Sequence, residues 1–257
     1  MPWAADFVAG EKALQRKAAT SPPPAPVKRL SSAHPRHVLP RMAYEGELDS
    51  ILVERRTWRR FGRAPLSLHA LAEILDRTFG VVHHAVAPGQ GPVVLKSSPS
   101  GGACHAIEAY VMVRRVAGLP AGIYHFEADR RRLARVRRGA SIDDVEQFLP
   151  GQPWFRNAAA LVFMTAVFAR PAWRYATPRA YRGLLIEAGH LCQTFLLVAT
   201  KLGLAPFCTQ AIADTAVERA LKIDGVSEGV LYVAGVGSRP RGSAQVGLPA
   251  RYKARLR

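Results

Sequence analysis

The stretch SSPSGGACHAIEAYVMV, residues Ser97–Val113, joins a turn signal directly to a strand signal. Pro99 restricts the backbone, whereas the paired glycines Gly101 and Gly102 let it approach a ligand or a neighbouring segment closely. The residues that follow alternate and place four apolar side chains on one side of a strand: Ile107, Ala109, Val111 and Val113. An ordinary glycine turn leading into a strand gives the same pattern, so the role of this turn depends on the rest of the chain.

The composition predicts a folded chain with an anionic partner. The 257 residues are 49% hydrophobic, enough for one large core or two small ones. The formal net charge of +17 and the pI of about 10.7 favour nucleic acid, an acidic membrane surface, a phosphorylated cofactor or an acidic polypeptide as the partner. The basic residues cluster in Arg55–Arg63, in Arg130–Arg138 and at the C-terminal end, but no tract is long and uninterrupted, so solvated faces explain most of them.

The cysteines and the apolar segments indicate a soluble cytoplasmic protein. Cys104, Cys192 and Cys208 are far apart and form no CxxC pair, so neither a disulfide framework nor a zinc site is expected. The N-terminal residues lack the apolar core of a signal peptide. The most apolar segment, Ala158–Ala169, is too short to span a bilayer.

The chain divides into a loosely ordered N-terminal extension, residues 1–40, and one folded domain, residues 41–257. The extension contains the proline-rich stretch Ser21–Pro26 and little periodicity. In the domain, the first helix contains Leu48 and Ile51 at helical spacing, and a second runs from Ser67 as N-cap to Gly80 as its stop. A polar loop with glycine and proline is expected between Gly80 and the turn.

Helices and strands are mixed in the second half of the domain. The pattern predicts a hairpin (Ile123–Phe126 with Leu133–Val136), a capping-box helix from Ser141 to Phe148, a buried strand at residues 160–168, a long helix at residues 181–204, a helix capped by Asp214 and ending at Leu221, and a last strand at residues 229–237. Because regular βαβ alternation is missing, an α+β domain is favoured over a doubly wound one.

Two polar patterns are candidates for a site. Arg55, Arg56, Thr57 and Arg59 fall together at the end of the first helix, where guanidinium groups beside a hydroxyl suit a phosphate, although a solvated basic face is the alternative. In the long helix, three polar residues lie on one stripe of the surface: Glu187, His190 and Thr194. Gln193 lies beside this stripe. A single histidine in that position is more often structural than catalytic.

Taken together, these stretches resemble the nitroreductase-like flavoproteins, and within them the SagB-type dehydrogenases. The resemblance runs from about Leu48 to Arg239. It is carried by RRTWRRF, PLSLHALAEIL, SPSGGACHAIEAYV, GLPAGIYHFEADRRRL, RAYRGLLIEAGHLCQTFLLVATKLGLAP and VLYVAGVG, in that order. The fold implied by the resemblance is a homodimeric α+β sandwich with a mostly antiparallel sheet flanked by helices, and with FMN at the subunit interface.

The resemblance also implies roles for particular residues. The arginine motif would contact the phosphate and the ribityl chain of FMN: Arg55, Arg56, Thr57 and Arg59. The turn would approach the flavin ring: Pro99, Ser100, Gly101 and Gly102. The loop after the long helix would cover the other face of the ring with Thr209 and Gln210, while Gln193 and Arg239 are weaker candidates for the flavin edge and the phosphate.

SagB-type enzymes oxidise azolines to azoles in ribosomally made precursor peptides, a reaction in which FMN accepts two electrons and the protein supplies a base. Their azoline oxidases carry a Lys-Tyr pair before RxYR, whereas this chain has Arg174 and Tyr175 before Arg179 and Arg182. A guanidinium stays protonated, so Arg174 cannot be the base. Tyr175 is either the base, its ionisation favoured by neighbouring cations, or a packing residue at the pocket rim. Two further alternatives remain open: the protein catalyses a related peptide dehydrogenation, or it needs a partner subunit.

The partners implied by this assignment are a second copy of the chain and a precursor peptide, with no membrane; a cyclodehydratase complex is left open as a third partner. Two other functions are compatible with the sequence. One is an NAD(P)H-dependent nitro- or quinone reductase on the same fold. The other is a non-enzymatic nucleic-acid-binding protein, suggested by the charge alone, because no reading motif or aromatic platform accompanies it.

Overall fold

The structure is a computed structural model that describes residues 45–242 apart from Gln90, together with scattered positions between residues 13 and 43. Most of the predicted extension, residues 1–40, therefore lies outside the described residues, as do residues 243–257. The helices are α1 (Glu47–Glu54), α2 (Leu68–Phe79), α3 (Ile142–Phe148), α4 (Ala169–Arg174), α5 (Ala180–Lys201) and α6 (Asp214–Leu221), with 3₁₀ turns at Gly101–Ala103 and Pro153–Phe155. The strands are β1 (Val81–Ala87), β2 (Gly91–Lys96), β3 (Ile107–Val113), β4 (Gly122–Glu127), β5 (Arg132–Arg138), β6 (Ala160–Val167), β7 (Ala205–Thr209) and β8 (Glu228–Gly237).

Six of the strands form one sheet in the order β5-β4-β3-β6-β8-β7. Every pairing in this sheet is antiparallel. Helices pack on both faces of the sheet, so the α+β sandwich expected from the sequence is confirmed.

The strand β3 lies near the middle of this sheet and is buried on both faces. Its residues Ile107, Ala109, Val111 and Val113 belong to one apolar cluster, which includes side chains of α2 and α5. The alternate residues, such as Met112, belong to a second cluster with side chains of α3 and α6. The predicted alternation is therefore correct for the first face, and the second face is equally apolar because helices cover it as well.

Local signals account for several helix ends. The hydroxyl of Ser67 accepts a hydrogen bond from Ala70 N at 3.1 Å at the start of α2. At α3, Ser141 and Asp144 form the predicted capping box. The helix α5 has 22 residues. Among the described residues it is also the one helix long and apolar enough to cross a membrane, and 56% of its apolar window is buried inside the protein.

Two predictions for local structure were wrong. The segment between Gly80 and the turn is an antiparallel hairpin of β1 and β2 rather than a loop. None of its strand residues is fully buried, so the usual apolar alternation is missing. Asp214 is the first helical residue of α6 and not its cap: Ala213 occupies the cap position and no side chain caps the helix. The acidic side chain of Asp214 lies instead in the first turn, near the positive end of the helix dipole.

Candidate active site

The turn before β3 is held by a buried carboxylate of α5. Glu187 is 4% exposed. One of its oxygens accepts a hydrogen bond from Ser100 Oγ at 2.5 Å, and the other accepts from Ile107 N at 3.1 Å. Ser100 Oγ in turn accepts from His105 N at 2.9 Å. A single helical side chain thus fixes the start of β3 and the middle of the turn at once.

Two further residues of the same helical stripe contact the turn. His190 Nδ1 lies 3.1 Å from the carbonyl oxygen of Pro99, and Thr194 Oγ1 lies 2.7 Å from Ser98 Oγ. Residues four apart on a helix point in similar directions, so the stripe can bind successive residues of a neighbouring segment. The prediction that His190 has a structural role fits this contact. The sequence identified the stripe but not its function, because the hydrogen bonds span about 90 residues of sequence.

Gly102 allows the end of α4 to lie directly on the turn. Its backbone has a φ of 61°, the left-handed region that glycine adopts without strain. A Cβ at this position would lie 2.6 Å from the hydroxyl of Tyr175 and 3.0 Å from Arg174 Nε. The structure therefore brings together two sets of residues that the sequence nominated separately, the glycine turn and the Arg-Tyr pair.

Arg174 and Tyr175 remain accessible in this position. Tyr175 is 38% exposed, and the guanidinium carbon of Arg174 lies 5.9 Å from the centre of its ring. The backbone N–H of Tyr175 donates to Pro171 O at 2.8 Å and ends α4. An ionisable hydroxyl beside a permanent cation at an exposed turn can exchange a proton with a bound molecule.

The turn continues into a charged group behind it. Ala103 and His105 also have positive φ values, of 52° and 41°, and Arg170 Nη1 donates to His105 O at 2.7 Å. Arg170 also pairs with Glu108 at 2.6 Å, and His125 Nε2 lies 3.0 Å from the same carboxylate. The hydrogen bond with Glu108 raises the pKa of His125. Burial opposes ionisation of Glu108, but its bonds to His125 and Arg170 leave its pKa below the usual value.

The arginine motif lies near the C-terminal end of α5. Arg55 ends α1, and Arg56 Nη1 donates to the carbonyls of Val53 at 2.5 Å and of Arg55 at 2.7 Å. Arg56 is thus partly committed to the C-terminus of its own helix. Thr57 is half-buried, whereas Arg59 is exposed.

Three other nominated residues lie near the strand β7. Arg239 donates from Nε to Leu204 O at 3.0 Å, and its guanidinium lies 5.3 Å from the Trp58 ring centre, so it is adjacent to the arginine motif. Thr209 Oγ1 donates to Gln152 Oε1 at 2.6 Å and accepts from Ala211 N at 3.1 Å. Its hydroxyl is therefore already satisfied, while Gln210 beside it is exposed. Gln193 is exposed on α5, next in sequence to Thr194, which contacts the turn.

A pair of thiols could not be recognised in the sequence. Cys192 of α5 and Cys208 of β7 lie close to each other, with the hydroxyl of Tyr232 beside them. The interaction with Cys192, with those of Tyr232 and the charge of Arg55, lowers the pKa of Cys208 although burial opposes this. The same pairing raises the pKa of Cys192. Their separation in sequence gave no signal of the contact.

The two groups of residues fit a flavin mononucleotide. The backbone N–H groups of Gly101 and Gly102 donate to no acceptor among the described residues, and Gly101 is exposed, so the turn can approach the polar edge of a ring. The arginine segment with Arg239 supplies the cations that a phosphate needs. The turn contacts α5 at Glu187, His190 and Thr194, and Arg239 bonds to the carbonyls of Thr200 and Leu204 at its C-terminal end.

The sequence model of the nitroreductase family matches residues 52–238, so the chain belongs to the nitroreductase family. Proteins of this family generally bind flavin. A similar protein is MJ1384 of Methanocaldococcus jannaschii, whose name describes a nitroreductase: it is 30% identical over 179 residues, which are 70% of this chain and 86% of that protein.

Other relatives have names that refer to peptide maturation. The trifolitoxin-processing protein TfxB of Rhizobium leguminosarum bv. trifolii is 32% identical over 146 residues, which are 55% of this chain and 39% of TfxB. The microcin B17-processing protein McbC of Escherichia coli is 28% identical over 171 residues, which are 62% of this chain and 57% of McbC. The chain thus spans less than two thirds of the length of either protein.

The fold is also that of a chain in the structure of the E. coli microcin synthetase McbBCD complex with truncated pro-MccB17 bound. The TM-score is 0.59 at 20% identity, and the match covers 93% of this chain and 94% of that one. At this level of identity the likeness establishes the shared fold.

Proposed function

We propose that this protein is an FMN-dependent oxidoreductase of the SagB type that dehydrogenates azoline rings to azoles in a ribosomally synthesised peptide. The observation that supports the proposal is the contact of Arg174 and Tyr175 with Gly102, because the proposed base then lies beside the turn that we assign to the flavin ring. The names of TfxB and McbC, which refer to peptide processing, support the substrate class.

The chain would hold FMN with two regions, the arginine segment and the glycine turn. Arg55, Arg59 and Arg239 would bind the phosphate end, and the amides of Gly101 and Gly102 would bind the ring. When bound, FMN supplies a two-electron acceptor. Glu187 would act indirectly, because its hydrogen bond to Ser100 holds the turn in the shape that the ring requires.

The protein's own chemical task is to remove a proton from the substrate. Conversion of an azoline to an azole removes two electrons and two protons, and one proton has to leave carbon. Tyr175 would act as a phenolate that has released its own proton to solvent, so that its oxygen can take the substrate proton and become a hydroxyl again. The guanidinium of Arg174 cannot be the base, but it would orient and stabilise that phenolate. The exposure of Tyr175 at the turn leaves room for a peptide ring beside it.

The test is a turnover assay on an azoline peptide, in which each ring loses 2 mass units. The change Tyr175→Phe keeps the ring and its packing but removes the proton acceptor, so the rate should fall by about 10²–10⁴-fold. The FMN content, read from visible absorption, should not change. Arg174→Lys should keep or raise the activity. Full activity of the Tyr175→Phe variant would remove Tyr175 from the mechanism, and a wild-type protein that neither contains nor binds FMN would refute the proposal.

A nitro- or quinone reductase is the second candidate function, since the relative MJ1384 carries a nitroreductase name. This enzyme would need NAD(P)H to reduce its flavin. Anaerobic mixing of the flavin-loaded protein with NADPH separates the two: rapid bleaching of the visible flavin bands supports the reductase, and bleaching by an azoline peptide alone supports the peptide dehydrogenase.

We also propose that the protein is a homodimer and that it works beside a cyclodehydratase. Exposed apolar side chains lie on one side of α5 near its start: Tyr181, Leu185 and Ile186. A second copy could bury them, because such a surface is costly in water. The fold shared with a chain of the McbBCD complex, a synthetase with a truncated precursor bound, supports an assembly with the enzyme that makes the azoline. Light scattering of the flavin-loaded protein tests the dimer, and a monomeric mass would contradict it.

A further inference from the structure

A cavity of about 460 Å³ lies behind the turn, under the β1–β2 hairpin. This volume falls within the usual range for sites that hold small molecules, roughly 300–1,000 Å³, and is more than one side chain needs. Its walls come from the hairpin, from the residues that follow the turn and from β3 and β4. The polar side chains among them include Lys96, Cys104, His105, Glu108, His125 and Arg170.

A second cavity of about 280 Å³ adjoins the first and leads to the candidate active site. The two share Pro92, Val93, Ala103, Cys104 and Arg170 in their walls. The second cavity is also lined by Gly102, Trp173 and Arg174. A molecule bound over Gly102 beside Arg174 can therefore extend into the first cavity without crossing the core.

The acidic side chains of the first cavity already have partners. Glu108 pairs with Arg170 and with His125. Glu127 pairs with Arg132 at 3.0 Å, and Asp129 lies 3.8 Å from Arg130. Their charges are thus largely compensated within the protein.

Lys96 is different. Among the described residues its side-chain ammonium has neither a hydrogen bond nor an ion pair, although the residue is half-buried at the end of β2 and lines the cavity. Burial lowers the pKa of Lys96, the more distant carboxylates Glu108 and Glu187 oppose this, and the charge of Arg170 adds to it. A buried ammonium without a partner is unfavourable, and a carboxylate brought to it would remove that cost.

The remaining titratable groups do not compete for such a ligand. The imidazole of His105 donates to the carbonyl of Val94, and burial lowers its pKa, so it is a neutral wall of the cavity. Burial likewise raises the pKa of the Cys104 thiol, which keeps it uncharged. Among the described residues that line the first cavity, Lys96 is then the cation without a charged partner, whereas Arg174 in the second cavity is assigned to the reaction.

We propose that the two cavities form a subsite for an acidic side chain of the substrate peptide, and that Lys96 binds its carboxylate. The inference rests on the proposed function, since it concerns a peptide that reaches Tyr175. It adds a specificity to that function: an Asp or Glu near the ring that is oxidised, on the side of the peptide that runs along the β1–β2 hairpin.

The first experiment compares peptides that differ only in this charge. The probes are fluorescein-labelled heptapeptides with a central thiazole, the unreactive product ring, and with one Glu or one Gln at the same position, moved in turn along each side of the ring. Binding to the flavin-loaded wild-type protein is followed by anisotropy. In one register the Glu peptide should bind about tenfold more tightly than its Gln counterpart, the strength of one charge-assisted hydrogen bond. Equal binding in every register would overturn the proposal.

The second experiment assigns the preference to one residue. Lys96→Gln should abolish the discrimination between the Glu and Gln peptides. Lys222→Gln is the matched control, because it removes the same charge from an exposed position at the end of α6, and it should keep the discrimination. A preference that survives Lys96→Gln would overturn the proposal. The proposal would also be overturned if the Lys96→Gln variant lost NADPH binding but kept the peptide preference, because the cavity would then bind a nucleotide.

A third measurement needs no variant. Because burial lowers the pKa of Lys96, binding of a carboxylate raises that pKa and takes up a proton at alkaline pH. Calorimetry of the wild-type protein at about pH 9 in two buffers of different ionisation enthalpy should show proton uptake with the Glu peptide and none with the Gln peptide. Equal uptake would contradict the role of Lys96. If azoline peptides are oxidised but none of these differences appears, the subsite fails and the proposed function stands; if no azoline peptide is oxidised, the proposed function fails by itself.

Discussion

The turn Ser98–His105 and the arginine segment Arg55–Arg63 are both assigned to one cofactor, yet they are built in opposite ways. In the turn, the hydroxyls of Ser98 and Ser100 and the carbonyl of Pro99 all have partners on α5. In the arginine segment, three guanidinium groups have neither a hydrogen bond nor an ion pair among the described residues: Arg59, Arg60 and Arg63. The protein itself fixes the shape of the turn, whereas these three arginines have no anionic partner in the part of the chain that the structure describes.

This difference predicts which mutations lower the free energy of unfolding and which lower the affinity for the cofactor. A residue that holds the turn should matter to the folded protein even without a cofactor. An exposed arginine should matter only when the cofactor is present, because a solvated cation contributes little to folding.

The largest effect is expected from Glu187→Ala. This change leaves the hydroxyl of Ser100 and the amide of Ile107 without their buried acceptor, so the free energy of unfolding should fall by about 3–5 kcal/mol. Urea denaturation of the flavin-free protein measures it. Glu146→Ala is the control: its exposed pair with Arg156 should be worth less than about 1 kcal/mol. Equal losses in the two variants would show that the turn does not depend on this carboxylate.

The next effect concerns FMN rather than folding. Arg59→Ala should weaken FMN binding by about 10- to 100-fold, the loss of one charge-assisted contact, and leave the urea midpoint of the flavin-free protein unchanged. Arg56→Ala should weaken FMN binding and also lower the stability of the flavin-free protein, because Arg56 bonds to the last carbonyls of α1. Titration with FMN and urea denaturation separate the two.

Arg135→Ala, an exposed arginine on the strand β5, is the control for charge alone. It should leave the affinity for FMN within about twofold, apart from a general electrostatic effect that salt removes. Unchanged FMN affinity in both Arg56→Ala and Arg59→Ala would return the segment to a solvated basic face.

A smaller effect should separate backbone strain from contact at the turn. Gly102→Ala and Gly118→Ala both put a side chain on a left-handed residue, with φ values of 61° and 76°, and each should cost about 1–2 kcal/mol. Only at Gly102 does the new Cβ meet Tyr175 and Arg174, since nothing lies within 4 Å of it at Gly118. Gly102→Ala should therefore be about 1 kcal/mol the more costly and should also reduce azoline oxidation. Equal stability and full activity in both variants would show that the Arg-Tyr pair can move away.

The sequence predicted much of this fold because its local signals agree with the tertiary structure. Ser67 and the Ser141–Asp144 box set helix starts by bonds within a few residues, and the apolar alternation of β3 reports one of its two buried faces. The β1–β2 hairpin was missed because none of its strand residues is fully buried and the strands carry two histidines and a proline, so the residues do not show which side is inside.

Residues of the candidate site could be nominated from the sequence, but their grouping could not. The contact of Tyr175 with Gly102 and the clamp of Glu187 on Ser100 join segments more than 70 residues apart. Cys192 and Cys208 show the same limit: each is an ordinary apolar position in its own element, and only the packing of α5 on β7 makes them a pair.

The smallest effect tests whether the charged residues behind the turn, Glu108, His125 and Arg170, also help to hold it in place. Glu108 joins His125 to Arg170, which holds the carbonyl of His105. The folded state raises the pKa of His125, so its contribution to stability is complete below its unfolded pKa, about 6.5, and is lost as the pH rises through the folded value. The folded state lowers the pKa of Glu108, so its contribution is present above its unfolded pKa and is lost as the pH falls through the folded value.

The stability difference between the wild-type protein and His125→Gln should therefore pass through a maximum. Both groups are ionised at about pH 5–6.5, where the pair should contribute about 1 kcal/mol, and the difference should shrink on either side of that window. His69→Gln is the control, because that imidazole is 91% exposed and 4.0 Å from Glu73, and its difference should stay near zero at every pH. Urea denaturation at half-unit steps from about pH 4 to about pH 9 measures both curves. A flat difference for His125→Gln would mean that Arg170 alone satisfies Glu108, and that the turn is held from the α5 side only.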